Sequence, residues 1–156
     1  MARKARQSSI DPVQIQIVHV WNRCVRRAFL CGQDPHTGRD FGHRRQWARD
    51  RLEHLASVFA IDCITFSITS NHTHQILRSR PDVADQWEDR EVAERWLRIS
   101  PRRDRKGATV EPAEADITAL IDDPKQLDEI RIRPSDISWW MRYFSRHMAC
   151  RANRED

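Results

Sequence analysis

Two histidines separated by one residue, His72 and His74, are the side chains of this sequence best placed to do chemistry. The segment from Ser70 to Leu77 that contains them is typical of a turn followed by an extended strand. In a strand, residues two apart project from the same face, so the two imidazoles are predicted to lie about 6–7 Å apart on one side. Neutral imidazole is a common metal ligand, and the pair predicts a divalent-metal site completed by a third ligand from elsewhere.

Other interpretations of the pair remain open. A lone H-x-H pattern also arises by chance, either on a surface or as core histidines whose ring nitrogens are hydrogen-bonded. Asn71, just before the pair, is also typical of a turn, because asparagine tolerates left-handed backbone. Thr73, between the histidines, suits a strand because it is β-branched, but its hydroxyl needs a hydrogen-bond partner if it is buried.

Patterns of alternating residue types predict the strands that position the histidines. A run rich in β-branched residues from Gln14 to Trp21 predicts a first strand, with His19 and Arg23 on one of its faces. Residues 62–69 alternate between apolar and polar types, and residues 72–78 return after a short turn, so the two segments are predicted to form a hairpin. His19 and Arg23 are consistent with two roles, contact with a DNA phosphate or simple cover for a sheet surface.

A helix is predicted between the first strand and the hairpin. Apolar residues recur at intervals of four, three and four from Ala48 to Phe59, which predicts a helix that begins near His43. The order strand, helix, strand, strand predicts an α+β fold of the ferredoxin-like, split β-α-β kind, an antiparallel sheet with helices on one face. That fold needs a fourth strand, and none is recognisable after Arg78.

The chain after the hairpin is predicted to be mostly helical. One helix is expected within residues 83–99, and short helical turns are expected at 117–122 and 125–130. Residues 100–115 are charged and predict an irregular loop. Ser135 is a plausible N-cap for a last helix, whose apolar stripe continues to Met148.

The composition predicts one basic domain. The 156 residues include 27 Lys+Arg against 23 Asp+Glu, a formal net charge of +4. Most of the basic residues are arginine, which suits phosphate contacts and stacking on bases, although a high-GC genome would also raise arginine content. The four cysteines form no C-x-x-C pair, so neither a zinc ribbon nor a thioredoxin-like motif is indicated. No apolar run approaches the ~20 residues of a membrane helix, and no signal peptide is recognisable, so a cytoplasmic protein is expected.

The segment Asn71-His72-Thr73-His74 resembles the histidine strand of HUH endonucleases, specifically the single-tyrosine transposases related to REP-associated tyrosine transposases. Further segments are similar to that family in the same order. Residues 19–32 resemble its first strand and the loop that follows, and residues 44–62 resemble its first helix and second strand. Residues 137–156 resemble the helix before its fourth strand. The middle position of the family motif is usually hydrophobic, whereas here it is Thr73.

The resemblance implies a reaction and a set of participants. The family carries out DNA transposition through metal-dependent cleavage and joining of single-stranded DNA, in which a tyrosine attacks a phosphodiester and becomes linked to its 5′ phosphate. It implies that His72 and His74 hold Mg²⁺ or Mn²⁺ with a third polar ligand. Single-stranded or hairpin DNA is the implied partner, and the protein is expected to act as a monomer or a homodimer. The candidate DNA contacts are His19, Arg23, Asn71, Arg102 and Arg103, the last two of which also fit a solvated loop.

The resemblance leaves the nucleophile without a counterpart. In the family that tyrosine follows the fourth strand, whereas the single tyrosine of this sequence, Tyr143, lies on the preceding helix. We therefore expect a C-terminally truncated, inactive HUH domain at residues 14–156, after a basic and flexible segment at 1–13 and with a charged, irregular insert at 100–134. Tyr143 is predicted to point toward solvent or along the sheet edge, away from the histidines.

Two alternatives to a transposase-like enzyme remain. One is a non-catalytic DNA- or RNA-binding module, and the other is a decayed reading frame with a poorly folded product. Truncation predicts a sheet with a weak edge and a last helix that leaves part of its apolar stripe exposed. The side chains expected to be uncovered are among Trp139, Trp140, Phe144 and Met148.

Overall fold

Three antiparallel strands form a sheet whose central strand carries the histidine pair. The structure, a computed structural model, describes residues 10–23 and 30–155. Within these residues the elements are β1 (Ile17–Arg23), α1 (Arg44–Val58), β2 (Ile61–Ile68), β3 (His72–Ser79), α2 (Pro81–Ala84), α3 (Asp89–Ile99), α4 (Glu114–Ile121), α5 (Pro124–Ile132) and α6 (Ile137–Glu155). The strand order is β1-β3-β2, so the α+β class predicted from the sequence is confirmed.

The hairpin and the first helix follow the sequence prediction closely. β2 and β3 pair in antiparallel register, and the register shifts between Cys63 and Thr65. That shift places Ile64 out of the simple alternation and leaves it 52% exposed. The sequence predicted Ile64 on the same face as Phe66, which is wrong because a bulge inserts one residue and displaces the alternation.

The main core lies between one face of the sheet and the helices α1 and α6. Leu77 of β3 is fully buried there together with Leu55 of α1 and Trp140 of α6. Trp140 also donates its Nε1 hydrogen to Oε1 of Gln75 on β3, at 2.8 Å, which holds α6 against the central strand. Burial of aromatic side chains of this size is a major source of stability for a domain of this length.

The prediction of an uncovered last helix is wrong for three of its four side chains, and only Trp139 stays partly exposed. Trp140, Phe144 and Met148 are 0%, 1% and 5% exposed, and Trp139 is half-buried against Trp96. The sequence argument assumed that a missing strand would uncover α6. In the structure α6 packs on α1 and on the sheet, so its apolar stripe is largely covered although residues 10–23 and 30–155 contain no fourth strand.

A second, smaller core joins α2, α3 and α5. Trp87, Val92, Leu127 and Ile130 meet in it. The predicted insert at 100–134 is therefore more ordered than expected, since α5 contributes to a core and α4 packs on α3. Its charged part, residues 100–113, contains no helix and only one isolated bridge, between Arg103 and Thr109.

The start of α6 differs from the predicted cap. Ser135 belongs to a single 3-10 turn, and its hydroxyl donates to the carbonyl of Ile132. Asp136 takes the capping role, because its Oδ1 accepts the backbone N–H of Ser138 at 2.7 Å. Among the described residues no helix is long and apolar enough to cross a membrane.

Candidate functional site

The two faces of β3 differ in what covers them. Thr73, Gln75, Leu77 and Ser79 are buried against the helices, whereas the alternate residues are half-buried on the opposite face. We call that opposite face, formed by His19, Trp21, Arg23, His72 and His74 together with their neighbours, the open face. The predicted strand is confirmed, and His72 and His74 project from the same side of it.

The imidazoles of His72 and His74 lie side by side on the open face. Their ring centroids are 6.1 Å apart, close to the spacing expected of alternate residues in a strand. Both rings are half-buried, so each keeps part of its surface accessible to solvent. The geometry is therefore consistent with a shared ligand reached from solvent.

A third histidine, His19 of β1, joins the pair. Its Nε2 lies 3.0 Å from Nδ1 of His74, and the two rings stack with centroids 5.2 Å apart. In the free protein this contact is a hydrogen bond in which one ring donates and the other accepts. A separation of about 3.0 Å is also the distance between two adjacent nitrogens bound to one ion at about 2.1 Å in octahedral geometry.

Asn71 orients His72. Its Oδ1 makes a short contact with Nδ1 of His72, which therefore carries the hydrogen, so Nε2 keeps its lone pair. Such a hydrogen bond fixes the tautomer and the ring orientation of a metal-binding histidine. Trp21 of β1 lies on the other side of His72, with ring centroids 5.9 Å apart. Asn71 was predicted to contact nucleic acid, which stays a prediction, and its side-chain oxygen contacts His72 in the structure.

The metal remains a prediction. Among the described residues no group of three or more histidine, cysteine or acidic side chains is arranged to hold an ion. The donors beside the pair are imidazoles, because the open-face carboxylate of Asp62 is ion-paired with Arg78 at the opposite end of β3. Mg²⁺ prefers oxygen ligands, whereas Mn²⁺ also accepts imidazole, so this donor set fits Mn²⁺ better and requires oxygens from water or from a ligand.

The rest of the open face combines exposed apolar surface with a cation. Trp21 is 44% exposed and Ile17 is 64% exposed, both on β1. Arg23, opposite His72 in the register, is exposed at the end of the same strand. An accessible aromatic ring beside a guanidinium group can stack on a base and contact its phosphate.

The structure does not bring Arg102 and Arg103 to the histidines. Arg102 forms an ion pair with Asp116 of α4 at 3.1 Å. Arg103 donates to the carbonyl of Gly107 and faces a groove beside α1 and α6, on the helix side of the sheet. Both were predicted as DNA contacts of one site, and they lie apart from that site because their loop follows α3 on the helix side.

Tyr143 also lies on the helix side. Its ring packs against Phe59, Trp96 and Trp139, at centroid distances of 6.0 to 6.4 Å. The prediction that it points toward solvent holds only in part, since its ring is half-buried in this aromatic cluster and also lines a groove between α1 and α6. The sheet separates it from His72 and His74, in agreement with the expectation that it lies away from them.

Sequence reasoning missed two features of the site. The position of Trp21, two residues after His19, could have been found by extending the alternation of the first strand by one step. The contact between His19 and His74 depends on the register of β1 against β3, which no local pattern encodes. Cys24 and the segment that resembles the family's first loop lie largely within residues 24–29, outside the described residues.

No protein-family model, curated protein or solved structure matches this chain.

Proposed function

We propose that the open face binds single-stranded DNA, with a divalent metal held by His72 and His74, as the resemblance to HUH transposases implies. The observation that carries the proposal is the cluster of His19, His72 and His74 on an uncovered sheet face beside an exposed Trp21. Histidines with a purely structural role need not be accessible to solvent. The accessibility of these three imidazoles supports a binding role.

Each side chain has a definable part in such a complex. His72 would bind the ion through Nε2, because Asn71 holds its Nδ1 hydrogen. His74 would bind through a nitrogen that now contacts His19. When bound, the ion would polarise a phosphate oxygen and offset its charge. Trp21 would stack on a base, and Arg23 would contact the adjacent phosphate.

The strand order supports the fold that this function implies. In a split β-α-β arrangement the strand after the hairpin turn lies between the first and second strands, as β3 does here. We propose a ferredoxin-like arrangement on that basis. Helices on one face and a histidine-bearing open face are what such a DNA-binding sheet needs.

The position of Tyr143 favours binding over covalent cleavage by this chain. Attack on a phosphate requires the reacting atoms to approach within about 3–3.5 Å. Tyr143 packs among aromatic rings on the opposite side of the sheet from the histidines. A non-catalytic DNA- or RNA-binding module is therefore the function proposed for this chain, covalent cleavage through Tyr143 is the second candidate, and the two share the same open face.

Calorimetry tests the metal site. Titration of Mn²⁺ into the wild type should show binding that is lost in His72→Ala/His74→Ala and kept in the control His36→Ala, whose residue lies in the loop after β1. Equal, weak heats in the wild type and the double variant would contradict the site.

A denaturing gel separates the two candidate functions. We expect no covalent product when the chain is incubated with Mn²⁺ and labelled hairpin DNA. A shifted band that disappears in Tyr143→Phe would show that the tyrosine does react and would overturn the binding-only assignment.

A further inference from the structure

A groove rich in arginine lies on the helix side of the sheet. It is lined by α1, by the segment after α3 and by α6, and has a volume of about 770 Å³. Among the described residues that line it, the one carboxylate is that of Asp50, which accepts a hydrogen bond from Gln46. The groove is also lined by five arginines: Arg51, Arg103, Arg146, Arg151 and Arg154. We call this the basic groove.

Arg51 lines the basic groove, and its guanidinium group is buried without a complete set of hydrogen-bond partners. It is 8% exposed, and its Nη2 donates to the carbonyl of Ile99 at 3.1 Å. Its Nε has no hydrogen-bond partner among the described residues. Burial lowers the pKa of Arg51 to about 10. A buried guanidinium without a counter-charge is costly, and an anion in the groove would supply both the charge and the missing acceptor.

The pKa of His147 reflects its burial and the positive charge of the groove. Burial, followed by the charges of Arg51 and Arg151, lowers the pKa of this imidazole to about 4. A neighbouring anion would have the opposite effect. The groove therefore concentrates positive charge, and none of its five arginines forms an ion pair within the described residues.

The arrangement of the arginines indicates an extended ligand. Arg146 and Arg154 lie on the groove side of α6, eight residues apart, which is about 12 Å along the helix. Neither forms an ion pair or a hydrogen bond within the described residues. Together with Arg51, these arginines form a row that successive phosphates of a strand could contact.

We propose that the basic groove binds the phosphodiester backbone of a nucleic-acid strand, at a second site separate from the open face. The two sites lie on opposite sides of the sheet, since Gln75 of β3 contacts Trp140 of α6 while His74 points the other way. Arginine is suited to this task because its planar guanidinium pairs with phosphate oxygens in a bidentate manner. The site requires no metal.

Salt-dependent anisotropy with a labelled single-stranded oligonucleotide in EDTA tests the groove. Each phosphate contact adds about 0.7 to the slope of log affinity against log salt for single strands. Arg146→Ala/Arg154→Ala should reduce the slope by about 1.4 and weaken binding about 20-fold at about 0.1 M salt. Arg49→Ala, an exposed arginine of α1 outside the groove, is the matched control and should change little.

The same measurement in the His72→Ala/His74→Ala background distinguishes the two sites. The groove effect should persist there, because it depends on neither histidine. An Arg146→Ala/Arg154→Ala variant with the slope of Arg49→Ala would overturn the proposal whether or not the open face binds DNA. Competition by tripolyphosphate or polyglutamate at the affinity of the oligonucleotide would overturn the choice of a nucleic-acid strand.

Discussion

His72, Thr73 and His74 are consecutive in β3. Because side chains alternate along a strand, Thr73 lies on the core side of the sheet and the two histidines lie on the open face. Thr73 is 3% exposed, and its hydroxyl has no hydrogen-bond partner among the described residues. The sequence identified this hydroxyl as a group that would need a partner. The structure shows that the requirement is unmet.

Replacement of Thr73 by valine should therefore stabilise the protein. Valine has a similar shape and removes the desolvation cost of the buried hydroxyl, so we expect the free energy of unfolding to rise by about 1 kcal/mol. Thr65→Val, at an exposed position of β2, is the matched control and should change it by less than about 0.5 kcal/mol. Urea unfolding measures both, and a loss of stability in Thr73→Val would show that the hydroxyl has a partner.

His19 should matter to the metal site even though the sequence motif omits it. It contacts His74 directly, so its removal frees the His74 ring to turn or removes a ligand. We expect His19→Ala to weaken Mn²⁺ binding about 10- to 100-fold, the range found when partners of metal ligands are lost. Calorimetry measures it, and an affinity equal to that of the His36→Ala control would exclude a role for His19.

At the scale of elements, His147 of α6 lies in the groove beside α1, and its protonation opposes folding. Burial and the surrounding arginines lower the pKa of His147 to about 4, from an ordinary value near 6.5. The groups facing it across α1, the loop after α3 and α6 are Arg51, His54, Arg103 and Arg151, and burial lowers the pKa of His54 as well. Below pH ~6.5 the unfolded chain therefore binds protons that the folded chain does not.

The pH dependence of stability follows from that difference. The pKa difference has no effect on stability above pH ~6.5, where His147 is neutral in both states, and it destabilises the fold as the pH falls toward 4, by on the order of 1 kcal/mol once solvent screening of the partly exposed ring is allowed for. His147→Gln should show a smaller loss of stability between about pH 7 and 5 than the wild type. Denaturant unfolding at the two pH values tests this, and identical losses in both proteins would contradict it.

Elements with local signals were predicted from the sequence, and those set by long-range contacts were not. The apolar spacing from Ala48 to Phe59 gave α1 to within a residue, and the β2–β3 hairpin followed from alternation. The bulge at Ile64 depends on pairing between strands, so alternation alone misplaced that residue. The cap of α6 is a local contact between Asp136 and Ser138, one residue beyond the predicted Ser135. The second core was missed because the sequence between 100 and 134 is dominated by charged residues.

The candidate site was likewise predicted only where a local pattern encodes it. The shared face of His72 and His74 follows from a period of two along one strand, and the sequence predicts it. The contact with His19 requires the register between β1 and β3, and the basic groove requires α1 and α6 to pack side by side. Arg51 gave no local signal, because its burial is decided by helices that are nearly a hundred residues apart in the chain.

For the whole molecule, the sheet separates two surfaces of different chemistry. The open face presents imidazoles, an exposed tryptophan and apolar side chains, whereas the helix side presents a concentration of arginine. A nucleic-acid ligand that used both would have to pass around an edge of the sheet. Arg142, which stacks on Trp139 and also lines a small pocket with Trp21, lies between the two surfaces.

The central claim is that the histidines of the open face couple a divalent metal to the binding of single-stranded DNA. Coupling requires that metal and DNA each bind more tightly in the presence of the other. The most direct measurement is the affinity of a labelled single-stranded oligonucleotide by anisotropy, at constant ionic strength, with Mn²⁺ and with EDTA, in the wild type and in His72→Ala/His74→Ala. We predict that Mn²⁺ tightens binding at least about fivefold in the wild type and has no effect in the double variant. An equal effect of Mn²⁺ in both proteins, or none in the wild type, would contradict the claim.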